Sequence, residues 1–255
     1  MAISPSDAFS AELDRIAVEY RRRDSTLSPT RDSVCDPVAL CRYQQRTRAI
    51  LHALTVHGAL PLVDKNILDV GCGGGQSLVD FESWGARRRN LAGIELREEA
   101  AQIAKSRLSS GDGAARIHTG NAAELPWPNQ TFHIVNQSTV FTSILCQPLR
   151  RAVAAEMVRV LRRDGLILWY DFRVDNPFNN NVRGVGAAEI RSLFPGCAVH
   201  LYSLTLAPPL ARLVVPISWT MCSLLEKLRI FNSHYLAVIR PAGNARRAVQ
   251  RATPK

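Results

Sequence analysis

The chain predicts a doubly wound α/β fold built on a largely parallel sheet, and three observations carry that expectation. Short apolar runs alternate with amphipathic stretches at the spacing of successive βα units. The first of these runs empties into a cluster of glycines, and the second ends in an acid. A length of 255 residues suits one such domain, and 46% apolar with 21% charged residues excludes a disordered or fibrous chain.

Taken in order, residues 8–23 form an amphipathic helix, with Phe9, Leu13, Ile16 and Tyr20 on one face at helical spacing. A turn-rich stretch, 25–37, separates it from a second helix over 38–57. Residues 65–70 are a short buried strand running into Gly71-Cys-Gly-Gly-Gly75. The alternation continues with helix 77–84, strand 91–95, helix 97–108, strands 115–118 and 132–137, and helix 149–161. Arg163-Asp-Gly165 is the expected turn into an apolar strand over 166–172. Residues 187–194 form a short helix closed by Pro195-Gly196. Strands over 198–206 and 234–240 complete a seven-stranded sheet as an antiparallel pair, with a helical insertion between them.

The formal charge of +10 is unevenly placed. Residues 1–66 carry nine basic and eight acidic side chains, and 67–172 carry twelve and eleven. Residues 173–255 carry eleven and three, and Arg240, Arg246, Arg247, Arg251 and Lys255 close the chain with no acid among them. A solvated basic tail over 241–255 is therefore expected, and nucleic acid is not the expected partner. The six cysteines, Cys35, Cys41, Cys72, Cys146, Cys197 and Cys222, show no C-x-x-C pair and no histidine at ligand spacing. Reduced thiols, a cytoplasmic protein and no bound metal are expected. The beginning of the chain has neither a basic nor an apolar leader segment. The longest apolar run, within 204–225, contains Arg212 and is broken by Pro208, Pro209 and Pro216, which makes it a poor transmembrane helix.

The chemistry is concentrated in Asp69-Val-Gly-Cys-Gly-Gly-Gly75, between a strand and a helix. Glycines there let the backbone approach a ligand and supply tight-turn dihedrals. The dinucleotide fingerprint needs a third glycine at the sixth position, where Gln76 or Leu78 stands in the two registers, so both fail. Asp69 suits a ligand ammonium better than a pyrophosphate. Glu95, ending the second strand, is placed to accept from two ribose hydroxyls.

With these residues in view, the chain resembles the class I S-adenosylmethionine-dependent methyltransferases, most closely the small-molecule branch of ubiquinone and menaquinone type. The resemblance covers roughly residues 67–169. Ile67-Leu-Asp-Val-Gly-Cys-Gly-Gly-Gly75 matches the cofactor loop, and Gly120-Asn-Ala-Ala-Glu-Leu-Pro-Trp-Pro128 resembles the G-D-A-x-x-L-P-F loop that borders the adenine. Phe132-His-Ile-Val135 stands where the family has F-D-x-V, and Arg159-Val-Leu-Arg-Arg-Asp-Gly165 where it has R-V-L-K-P-G-G. Asn121, His133 and Asp164 depart from the pattern, and His133 is expected to be structural. The resemblance implies a Rossmann-like sheet over 67–240 behind an N-terminal helical cap, 1–66, and S-adenosyl-L-methionine as cofactor. It also implies the cofactor residues: Gly71, Cys72 and Gly73 on the methionine part, Asp69 on its amino group, Glu95 on the ribose. Leu96, Asn121 and Ala122 would border the adenine, with Gln137 and Ser138 at the end of the fourth strand. Tyr43 or Arg46 would close over the site.

The acceptor side is less defined. Asp171, Arg173, Asn176, Asn180 and Arg183 form a dense polar set after the fifth strand, read either as an acceptor pocket or as an Asn-rich loop satisfying its own turns. Asp171 is the first candidate for a general base and His234 the second. The segment 204–231 is a helix packed on the core, an apolar lid over the acceptor, or a patch resting on a membrane surface. No N-P-P-[YFW] follows the fourth strand and no Pro-Cys motif stands near the site, so methylation of a small-molecule, glycan or lipid-like oxygen leads. An RNA methyltransferase and a non-catalytic cofactor-binding partner subunit are the alternatives, and the oligomeric state is not determined.

Overall fold

The computed structural model describes residues 5–26, 33–110, 113–177 and 179–242. Most of the expected basic tail over 241–255, including Arg246, Arg247, Arg251 and Lys255, lies outside the described residues. Two helices lead the chain, α1 (Pro5–Thr26) and α2 (Pro37–Val56). The sheet strands are β1 (Ile67–Val70), β2 (Leu91–Glu95), β3 (Arg116–Thr119), β4 (Phe132–Ser138), β5 (Leu161–Phe172), β6 (Cys197–Leu206) and β7 (Asn232–Pro241). Between them come α3 (Gln76–Ser83), α4 (Glu98–Arg107), α5 (Gln147–Val160), α6 (Ala187–Leu193), α7 (Pro208–Val214) and α8 (Trp219–Lys227).

The strands are ordered β3-β2-β1-β4-β5-β7-β6, with β7 antiparallel to both of its neighbours. This is the doubly wound seven-stranded sheet expected, with the last strand reversed. The chain winds outward from β1 through β2 to β3, then returns to place β4 on the other flank of β1. Such a reversal opens a crevice beyond the carboxyl ends of the two central strands.

The buried strands read as apolar runs because both faces are covered. One face carries α2, α3 and α4, with Leu54, Leu78, Phe81 and Leu108 against Ile67, Ile134 and Leu168. The other carries α5 and α6, with Leu149, Val153 and Met157 against Leu68, Val135 and Ile167. Trp169, fully buried, meets Phe141 at 4.1 Å and Phe194 at 5.7 Å between ring centres. Pairs of this kind add ~0.5–1.5 kcal/mol each beyond their area burial.

One expectation needs correction. Arg163-Asp-Gly165 is not a turn before β5 but an irregularity inside it. Phe132 pairs with Leu161 and Ile134 with Leu166, so two steps along β4 match five along β5 and the extra residues loop out. The segment 204–231 holds two helices, α7 and α8, which pack on α2 and β6, in line with the first of the readings open for it and not with a lid over the crevice. Ala211, Val215 and Cys222 meet Leu206 and Cys41 there, the two sulfurs 3.2 Å apart.

Helix α1 takes the covering position instead. Its Glu12 carboxylate accepts from the backbone N–H groups of Leu145 and Cys146, the latter at 3.1 Å, and from Arg15. Helix α5 has no side-chain cap of its own, and an acid from a distant helix satisfies the amides of its N-cap residue, Cys146, and of Leu145 before it. Burial alone would raise the Glu12 carboxyl, but Arg15 and the two amides hold it below the ordinary glutamate value. That contribution is in force above the ordinary value and is lost as pH falls through the lower folded one. Replacing Glu12 by Ala should cost ~1–3 kcal/mol by leaving buried amides unpaired. Thermal melts check this: the variant should melt several degrees lower at neutral pH, and the difference should shrink in acid.

Candidate functional site

The glycine segment is tied to β2 by three hydrogen bonds. Gly71 and Cys72 donate to the Ile94 carbonyl at 2.8 and 3.0 Å, and Gly73 donates to Glu95 Oε2 at 2.9 Å. Gly71 has φ +67°, and a Cβ on it would lie 2.5 Å from the Val140 side chain. Gly73 has φ +52°, and a Cβ on it would meet nothing within 4 Å, because this residue faces open space. The loop therefore needs glycine for close packing at one position and for backbone conformation at both.

Asp69 and Asn136 are register partners on β1 and β4, which puts the Asn136 amide 2.7 Å from Asp69 Oδ1. Burial pushes the Asp69 carboxyl up to about 7, against the pull of the Asn136 hydrogen bond and the Arg46 charge. Arg46, on α2, donates to Ser138 Oγ and to Asp80 Oδ2, both at 3.2 Å, while Tyr43 donates to Asp80 Oδ1 at 2.9 Å. Glu95 Oε1 accepts from the Arg97 backbone N–H at 3.1 Å and from Arg97 Nε at 3.3 Å. Arg97 also pairs with Asp24 of α1 and lies over the Tyr20 ring, 4.6 Å from its centre.

These groups surround a cavity of about 550 Å³ at the carboxyl edge of β1, β2 and β4. Cavities of this size hold cofactor-sized ligands. Asp69, Gly71, Cys72, Gly73, Glu95, Leu96, Asn121 and Ala122 all line it, so eight of the expected cofactor residues converge. Asn121 spends one acceptor site on its own turn, its Oδ1 taking the Ala123 N–H at 2.9 Å. Ile144, Leu149 and Val153 form an apolar wall, and α1 contributes Leu13, Ile16 and Tyr20.

One expected residue, Gln137, does not belong. It is fully buried, with its amide turned inward to the Tyr170 carbonyl and the Val140 N–H. The next residues, Ser138, Thr139 and Val140, face the cavity in its place. Thr139 adopts φ +59°, a conformation that costs a β-branched residue ~1–3 kcal/mol and that clusters at functional sites.

Neither base candidate reaches the cavity. Asp171 is 1% exposed and accepts from the N–H groups of Thr142 at 3.2 Å and Phe172 at 3.0 Å, with a further bond from Phe141. It organises the turn after β4, and burial pushes it up to about 7 despite those amides. His234 is buried between Tyr170 and Phe172, with ring centres 4.6 and 3.8 Å away. Its Nδ1 lies 2.8 Å from Ser233 Oγ, and burial lowers its pKa to about 3. A histidine so placed stays neutral and acts as a packing residue.

The polar set after β5 diverges in the same way. Arg173 turns to Ser203 and the Tyr235 ring, and Arg183 pairs with Glu189. Among the described residues of 173–183 and 204–231, none lines the cavity. His133 accepts from the Asn66 N–H at the opposite edge of the sheet, as a structural histidine does. The cavity residues that the sequence reading did not single out include those of α1, whose apolar face was visible but had no assigned partner, and Thr139 and Val140, which carry no distinctive motif.

Residues 67–165 match a family model described as a methyltransferase domain. A Haemophilus influenzae protein described only as uncharacterized is 29% identical over 111 residues, and the match spans 42% of this chain and 43% of that one. Magnesium protoporphyrin IX methyltransferase from Synechocystis, solved with bound S-adenosylmethionine, superposes with a TM-score of 0.59 at 14% identity, over 94% of this chain and 99% of that one. Geranyl diphosphate C-methyltransferase from Streptomyces coelicolor superposes with a TM-score of 0.55 at 15% identity, over 75% and 78%. A methyltransferase from Methanosarcina mazei gives 0.53 at 16%, over 73% and 96%. At these identities the superpositions speak to the fold.

The placement of Asp171 generates a test. Asp171→Ala should lose ~2–4 kcal/mol by orphaning the amides of the 141–142 turn and Phe172. Thermal unfolding should show that loss, with ligand affinity retained in the fraction that folds at low temperature. A variant that melts like the wild type yet is inactive would return Asp171 to the chemistry.

Proposed function

We propose, on the match of residues 67–165 to a methyltransferase domain, that the chain is a class I S-adenosylmethionine-dependent methyltransferase acting on a small-molecule or lipid-like acceptor. The convergence of eight expected cofactor residues on one cavity, at the point where the strand order reverses, is the observation that supports it most. The cradle fits: Gly71 allows close packing, Gly73 opens to the cavity, and two buried acids face it. The cofactor would supply an electrophilic methyl group on a sulfonium.

Asp69 would hold the ligand ammonium and Glu95 the ribose hydroxyls, keeping its bonds to Gly73 and Arg97 through its remaining lone pairs. Leu96, Asn121 and Ala122 would border the base, with Ile16 and Tyr20 of α1 closing water out. Arg46, beside Ser138, is the cation placed to meet a carboxylate.

The cavity wall holds two carboxyl groups, Asp69 and Glu95, and no histidine among the described residues. Both acids are committed to the cofactor in this reading. The chain's part in the reaction is then alignment and exclusion of water. We infer an acceptor oxygen already ionised near neutral pH, such as a carboxylate or an acidic hydroxyl, rather than an alcohol that needs a base.

Titration calorimetry tests the cofactor assignment. Glu95→Ala should weaken S-adenosylmethionine binding at least ~100-fold, because two ribose bonds to a charged acceptor, worth ~1.5–3 kcal/mol each, are lost. Wild-type affinity in that variant would remove the assignment. Asp69 adds a pH signature. Its carboxyl is raised to about 7 in the free protein, and a bound ammonium favours the ionised form. Binding should therefore release protons below pH 7, and affinity should rise with pH and level off above it. Calorimetry in buffers of different ionisation enthalpy reads the released protons directly.

A further inference from the structure

Helices α7 and α8 are apolar on two sides. Their inner side meets α2 and β6 through Ala211, Val215 and Cys222. Their outer side presents Leu213, Ile217, Trp219, Leu224, Leu228 and Ile230 to solvent, from 41% exposed at Trp219 to 78% at Ile217. Most of the large exposed apolar residues of the described chain fall in this one hairpin and the turn after it. A helix that is apolar all round belongs in a larger core or against a membrane.

The charge around this face selects between those. Arg212, Lys227 and Arg229 lie exposed among the apolar residues. The single acid of residues 207–231, Glu226, is turned inward, accepting from the Thr205 N–H at 3.1 Å and pairing with Arg48 at 3.4 Å. The exposed side of the hairpin is therefore apolar and cationic with no exposed acid. No described helix is long and apolar enough to cross a membrane.

We propose that the α7–α8 hairpin docks the protein on an anionic lipid bilayer, its apolar residues entering the headgroup boundary and its cations meeting acidic headgroups. The hairpin leaves β6 at Leu206 and rejoins β7 at Asn232, both at the carboxyl edge that carries the cavity. Docking would hold that edge near the lipid surface.

Flotation of the full chain with vesicles tests it. The protein should float with vesicles of phosphatidylcholine mixed with phosphatidylglycerol, float poorly with phosphatidylcholine alone, and dissociate as salt rises. Ile217→Asp with Leu224→Asp, both on exposed positions, should lower partitioning at least ~10-fold with an unchanged melting temperature. Arg212→Glu with Arg229→Glu should do the same on the anionic vesicles. As a second readout, the exposed Trp219 should shift its emission to the blue on binding, and Trp219→Phe should abolish that shift. Equal partitioning of wild type and variants would overturn the proposal. So would binding indifferent to lipid charge, or a concentration-dependent dimer that the same substitutions dissolve while vesicles have no effect.

Discussion

The Glu95 carboxylate holds the site together, because it joins the glycine segment to the end of β2. Through Gly73 it fixes a loop whose Gly71 and Cys72 amides already bond Ile94, and through Arg97 it reaches Asp24 on α1. The loop, the second strand and the covering helix thus share one acid. The carboxylate can serve all three and still face the cavity because each oxygen has more than one lone pair. Without it, the Gly73 amide would need water where a ligand is expected to lie.

Buried charge explains why the neighbouring elements sit where they do. Asp69 and Asp80 lie on the α2 and α3 side of the sheet with little solvent, and Arg46 is the cation that reaches both the Asp80 carboxylate and the end of β4. An unpaired acid at that depth would be costly, so helix α2 must dock in the register that brings Arg46 inward. On the other face, Glu12 of α1 caps α5 and Asp171 holds the turn that follows β4. Buried acids accordingly do two kinds of work in this chain. Asp69 faces the cavity, Glu12 and Asp171 satisfy backbone amides away from it, and Glu95 does both.

That division could not be read from residue type. Asp171 and His234 look like catalytic groups in the sequence, one at the end of a strand and the other at the beginning of a strand. The side of the strand on which each falls, and the depth of the neighbouring rings, turn both inward. Gln137 misses the cavity by one position, since successive side chains of a strand point to opposite faces. The residues that line the cavity were more legible because strand ends and a glycine turn place them. Glycines at a strand-to-helix turn can serve few purposes, and an acid ending the adjacent parallel strand is carried to the same edge by the register alone.

The sequence by itself determined the order of elements, the seven-stranded sheet and its reversed last strand, and the position of the glycine loop. These follow from local periodicity and turn chemistry, which act over a few residues. Only the tertiary structure decided which helix covers the cavity. Helix α1 does so because Glu12 finds amides more than a hundred residues away. The same long-range packing sends the proline-broken segment to α2 and leaves its outer face apolar and cationic at the surface. Sequence patterns report that a face is apolar. What lies against that face depends on contacts between residues remote along the chain.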